Sequence, residues 1–217
     1  MKGIFITFEG PDGSGKTTQI NLLNDYFKKR GREVLLTREP GGTQISEKIR
    51  NVILDPENKG MSFVCEALLY AASRAQHVYE VIIPALKSGK IVICDRFVDS
   101  SIVYQGYARG LGEEMIENIN FYATQGLNPD ITFLLSLPAE VGIKRKSKGG
   151  ELDRLEQEDI LFHQKVYEGY NKLKNKYKRI VEIDANRDIN VIHSMIVEKI
   201  EKYEKEVSYE TNYCHSS

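Results

Sequence analysis

Residues 4–18, IFITFEGPDGSGKTT, constrain this chain more than any other stretch. Ile4, Phe5, Ile6 and Phe8 read as a buried strand, a glycine-rich turn follows, and a helix starts near Lys16. The run Gly10, Pro11, Asp12, Gly13, Ser14, Gly15, Lys16, Thr17 spells G-x-x-x-x-G-K-[ST], the phosphate-binding loop, and Thr18 carries it into the helix. Glycine at positions 10, 13 and 15 permits positive φ and close approach, so successive backbone N–H groups can curl around a phosphate. The helix adds the positive end of its dipole. Lys16 is then within reach of the β- and γ-phosphates, and the Thr17 hydroxyl can ligate Mg²⁺. A chance match in a chain of this composition is roughly a 1% event. The loop is therefore expected to bind a nucleotide.

The 217 residues suit one α/β domain with a full core. A net charge of −1 gives no general basic field, so nucleic acid is not expected as a partner. Cys65, Cys94 and Cys214 are widely spaced and form no C-x-x-C pair, which suits a reduced compartment. No apolar run approaches a membrane span, and the N-terminus enters a strand directly. A cytoplasmic protein with no membrane partner is the expectation.

Helical spacing over residues 17–30 ends at Gly31, and residues 33–37 (EVLLT) read as a second strand feeding the turn Arg38-Glu39-Pro40-Gly41-Gly42-Thr43. Helices are expected over 44–54 and 62–88. In the second, Tyr70 and Arg74 stand four apart on one face, where a ring beside a guanidinium can stack on and hydrogen-bond a base. An aromatic in an apolar helix also fits a plain core role, and His77 reads as a structural histidine. Residues 90–94 (KIVIC) form the third strand, apolar on both faces, ending in Asp95-Arg96. An acid there can hold Mg²⁺ through water, and Arg96 can neutralise a second phosphate. A helix over 113–126, a strand over 131–137, a short helix from Pro138, a helix over 155–177, a strand over 179–183 and a helix over 190–203 complete the chain. Residues 144–154 (KRKSKGGELDR) read as a short lid carrying cations over the phosphates, or as a solvated surface loop. One domain is expected over 1–204, followed by a polar, frayed tail over 205–217.

Four motifs in order then carry a family likeness: FEGPDGSGKTT (8–18), REPGGT (38–43), LLYAASRAQH (68–77) and DRFVDSSIVYQG (95–106), with GGELDRLE (149–156) after them. The chain resembles the thymidylate kinases, which convert dTMP to dTDP with ATP and Mg²⁺. The resemblance runs to about residue 203. It implies a three-layer P-loop kinase fold, with a five-stranded parallel sheet in the order 2-3-1-4-5 flanked by helices and a short lid. Residues 10–18 would hold the ATP phosphates, with Asp12 near the transferred group and Thr17 and Asp95 toward Mg²⁺. Glu39, Tyr70, Arg74, Arg96, Ser101, Tyr104 and Gln105 would line the dTMP site, with Arg50 a further phosphate ligand. Tyr70 stands where the family usually has the phenylalanine that stacks on thymine. The resemblance also implies a homodimer through the long helices, although no apolar stripe in the sequence identifies its face.

Two departures matter. Ser73 replaces a common aspartate, and lysines fill most of the lid, so the catalytic cation is to be found among Lys144, Arg145, Lys146, Lys148 and Arg154. A forked guanidinium suits a phosphoryl group better than a point charge, which favours Arg145, then Arg154, beside Lys16, Asp12 and Arg96 as catalytic residues. A kinase of another nucleoside monophosphate, and an ATPase or switch module with no small-molecule acceptor, remain the alternatives.

Overall fold

The structure is a computed structural model describing residues 3–146 and 153–214. Its centre is a sheet of parallel strands β1 (Ile4–Glu9), β2 (Val34–Arg38), β3 (Ile91–Asp95), β4 (Ile131–Ser136) and β5 (Ile180–Asp184). They lie in the order β2-β3-β1-β4-β5, as expected. The register is what positions chemistry. Phe8 of β1 pairs with Asp95 of β3, and Asp95 with Arg38 of β2. The segments that leave these strands, at Gly10, Glu39 and Arg96, therefore emerge side by side at the carboxyl edge of the sheet.

Alternation in β1 decides what covers each face. Ile6 and Phe8 pack with Leu23 and Phe27 of helix α1 (Lys16–Lys29) and with Ile192, Ile196 and Ile200 of helix α9 (Ile189–Cys214). Phe5 turns the other way, onto Val78, Ile82 and Phe97. That second face is covered by helices α2 (Gln44–Leu54), α3 (Phe63–His77), α4 (Ile83–Lys87), α5 (Val98–Ser101), α6 (Glu113–Thr124) and α8 (Ile160–Lys176), while α7 (Ala139–Lys146) follows β4. Phe27 has no exposed surface, so truncating it to alanine is a change worth about 3–5 kcal/mol.

The element boundaries differ from expectation where side chains intervene. The helical run after Ser62 is continuous in path but widens to a π-turn over Val78–Ile82 before α4. A second π-helical stretch, Ile102–Ala108, extends α5 where no helix was expected. Helix α8 begins at Ile160, not Leu155. Asp153 accepts hydrogen bonds from the Leu155 and Glu156 N–H groups and holds them in a turn, and Asp159 caps the helix by accepting from the Phe162 N–H. Helix α9 continues to Cys214, past the expected end at Tyr203 and through the start of the polar tail. There Tyr203 donates to Asp130 at 2.9 Å, and Glu204 pairs with Arg30 at 2.8 Å. Among the described residues, no helix is long and apolar enough to cross a membrane.

Candidate active site

The phosphate loop forms as its glycines predict. Gly10, Gly13 and Gly15 have φ of +132°, +76° and +88°. A Cβ on Gly10 would stand 2.4 Å from the Leu135 carbonyl oxygen, and one on Gly13 would stand 2.6 Å from that of Gly142, so both positions need glycine for closeness as well as angle. Gly15 caps α1 with no side-chain hydrogen bond, which leaves the first N–H groups of the helix to a ligand. Lys16 is buried and donates to the Gly10 and Pro11 carbonyls at 3.0 Å each. Burial, together with nearby Arg96, lowers its pKa. Among the described residues the buried Ser14 hydroxyl has no hydrogen-bond partner.

The loop opens into a cavity of about 560 Å³. Asp12, Lys16, Thr17, Thr18 and Arg145 line one part of it. Glu39, Arg50, Tyr70, Arg74, Ser101, Tyr104 and Gln105 line the rest, with Asp95 and Arg96 also on its wall. Arg96 has φ +66° in a non-glycine residue, held by its N–H to the Phe8 carbonyl at 2.9 Å. Its guanidinium donates to Asp12 at 2.9 Å and to Ser100 at 3.3 Å, and sits 5.3 Å from the Tyr104 ring centroid.

The acceptor-side residues are tied together below the cavity. Glu39, which enters a cis peptide with Pro40, accepts from Arg74 Nε at 2.6 Å and contacts His77 Nδ1 at 3.0 Å. His77 meets Thr37 at 2.7 Å through its other ring nitrogen, which makes it the structural histidine anticipated. Arg74 also donates to Ser101 at 3.1 Å, to Asn120 and to the Phe97 carbonyl, so most of its N–H groups are engaged. Arg50 donates to the Pro40 carbonyl at 2.8 Å. Ser73 accepts from the Gly41 N–H at 3.3 Å. Tyr70 lines the cavity and also packs on the core cluster around Ile102 and Tyr104. Burial raises the Tyr70 and Tyr104 phenols, the latter to about 12, and keeps both neutral.

The two favoured lid arginines part company. Arg145 reaches the Ala185 carbonyl at 3.2 Å and Asn186 at 3.4 Å, beside the loop. Arg154 is buried elsewhere, donating to the Ile53 carbonyl at 2.8 Å and to Glu66 at 2.6 Å, and does not line the cavity. Lys144 stands on α7. The Lys146 side chain and Lys148 lie outside the described residues.

Three residues hydrogen-bonded to the cavity's lining were not singled out from the sequence. Glu9, the last residue of β1, is fully buried and accepts from the Phe97 N–H, the Ser100 N–H and hydroxyl, and Tyr170 at 2.5–3.2 Å. Burial, then the charge of Asp99, pushes its pKa up to about 7 against the pull of those donors. An acid closing an apolar strand just before the loop was a visible signal. Tyr170 and Glu66 gave none, being single polar residues in ordinary helical segments.

Residues 8–196 match a family model described as thymidylate kinase. The thymidylate kinase of Geobacillus sp. (strain WCH70) is 50% identical over 200 residues, covering 91% of this chain and 95% of that protein. That of Caldanaerobacter subterraneus subsp. tengcongensis is 52% identical over 206 residues, covering 94% and 98%. The crystal structure of thymidylate kinase from Ehrlichia chaffeensis superposes with a TM-score of 0.76 at 35% identity, covering 93% of this chain and 99% of that one.

Proposed function

This chain belongs to the thymidylate kinase family, and we propose that it phosphorylates dTMP to dTDP with ATP, moving the γ-phosphoryl group in line onto a dTMP phosphate oxygen within the cavity described above. The observation that carries the reading is one continuous cavity with the phosphate loop at one part of its wall and the Tyr70, Arg74 and Gln105 side chains at another. The acceptor oxygen is already anionic, so the reaction needs positioning and charge neutralisation more than a base. Backbone N–H groups of 10–18 and Lys16 hold the donor phosphates. Arg96, pre-aimed by Asp12, takes the acceptor phosphate with Arg50 beside it. Tyr70 stacks on the base, Ser101, Gln105 and Arg74 face its edge, and Tyr104 packs against the sugar. Arg145 supplies the lid cation.

The residues fit Mg²⁺. Among the described residues Asp95 Oδ1 is buried with no partner while the residue lines the cavity, and Thr17 lines it too. The ion, when bound, neutralises charge on the phosphate oxygens. Among the described residues no group of three His, Cys, Asp or Glu side chains is placed to hold a metal ion by itself. The free thiols Cys65 and Cys94 suit a reducing cytoplasm. A homodimer through α3 and α6 is supported by exposed apolar side chains on both helices. The test is an ADP-release assay with dTMP, dUMP, AMP and GMP. Turnover highest with dTMP is expected; equal turnover of AMP or GMP, or ATP hydrolysis indifferent to all four, overturns the assignment.

A further inference from the structure

We propose that Glu66 is a positioning residue for the base-reading part of the cavity. It holds the Gln105 amide with its NH₂ turned away and its carbonyl oxygen turned to the ligand, so the site favours a pyrimidine that presents an N–H at that edge. The inference rests on the nucleotide reading above.

Glu66 lies in the first turn of α3 and has no exposed surface. Its Oε1 accepts from Gln105 Nε2 at 2.9 Å and from Arg109 Nε at 3.3 Å. Its Oε2 accepts from Arg109 Nη2 at 3.2 Å and from Arg154 Nη2 at 2.6 Å. Arg109 is itself wedged between rings, 4.7 Å from the Phe63 centroid and 4.5 Å from that of Phe162. Burial works against the Glu66 charge, but hydrogen bonds from Gln105, Arg109 and Arg154 prevail and hold its pKa below the usual range.

A carboxylate flanked by two guanidinium groups only accepts hydrogen bonds. An amide facing it has one tolerable orientation, because the flipped form sets a carbonyl oxygen against an anion. Gln105 is buried and lines the cavity, and among the described residues no donor reaches its Oε1. That oxygen is the acceptor the cavity offers. Thymine and uracil carry N3–H and can satisfy it. Cytosine carries an acceptor at N3, which leaves two acceptors face to face, a mismatch of about tenfold or more in affinity.

The experiment is calorimetric binding of dTMP, dCMP and a non-hydrolysable ATP analogue to the wild-type chain and to Glu66→Gln, Glu66→Asp and Gln105→Leu. Glutamine at 66 can donate or accept, so the Gln105 amide is released. The preference for dTMP over dCMP should then fall about tenfold while affinity for the ATP analogue stays within about twofold. Glu66→Asp keeps an acceptor-only group and should retain most of the preference. Gln105→Leu leaves Glu66 and both arginines in place, and it decides the matter if the Glu66 variants do not fold; it should lose the preference. A wild-type preference kept in Glu66→Gln or in Gln105→Leu overturns the proposal, as does parallel weakening of dTMP and the ATP analogue. A wild-type chain that binds dCMP as well as dTMP overturns the proposal too, and one that binds neither nucleotide nor the ATP analogue overturns the nucleotide reading itself.

Discussion

Lys16 shows how a ligand-binding group is stored before use. Its ammonium is buried against the Gly10 and Pro11 carbonyls, 4.0 Å from Asp12, and burial lowers its pKa. An anion arriving in the loop replaces neutral carbonyl partners with charged ones, a gain that grows as phosphoryl charge redistributes in transfer. Lys16→Ala should therefore lower kcat by about 10²–10³-fold. Steady-state rates at saturating ATP check this, and undiminished turnover would remove Lys16 from its role. Glu9 makes a separate prediction about stability. Its carboxyl moves from 4.5 to about 7 on folding, so between those values the native state binds the extra proton. Stability from this group is present at low pH and is lost as pH rises through about 7, on the order of 3 kcal/mol in all. Urea unfolding from pH 5 to 8 should show a falling stability that flattens in Glu9→Gln; an equal slope in both proteins would mean the carboxyl titrates normally.

Among elements, α7 makes a close backbone contact with the phosphate loop. A Cβ on Gly142 would stand 2.7 Å from the Asp12 carbonyl oxygen. Gly142→Ala must therefore push the helix and the loop apart, at about 1–3 kcal/mol. Because Arg145 rides on the same helix, the KM for ATP should rise more than that for dTMP; an equal rise would place the damage in general folding. Neither this contact nor the reach of Arg145 to Ala185 was legible in the sequence, since both join segments far apart in the chain. What was legible has local causes. Period and apolar runs revealed the strands, and φ-permissive glycines revealed the loop. The π-turns were not readable, because helical spacing does not distinguish an extra residue per turn. Glu66 was missed because its partners Arg109 and Arg154 lie 43 and 88 residues away. Arg154 looked like a lid cation for the mirror reason: the carboxylate that claims it is remote in sequence.

On the scale of the molecule, α3 faces two ways at once. Tyr70 is two positions past Leu68, about 200° around the helix. One side of α3 thus gives Tyr70 and Arg74 to the cavity, while Val64 and Leu68, 43% and 51% exposed, look outward. Helix α6 repeats the arrangement, with Asn120 buried on Arg74 and the neighbouring Phe121 and Tyr122 63% and 80% exposed. Apolar surface of this kind on adjacent helices suits a self-complementary two-fold contact. If the contact forms, it stiffens the two helices that hold Arg74, and the dTMP part of the site becomes linked to assembly while the phosphate loop, carried by β1 and α1, is not. Leu68→Glu should then sediment as a monomer where the wild type is a dimer, and bind dTMP several-fold more weakly with little change for ATP. A monomeric wild type removes the assembly. A monomeric variant with unaltered dTMP binding keeps the assembly and severs its link to the site.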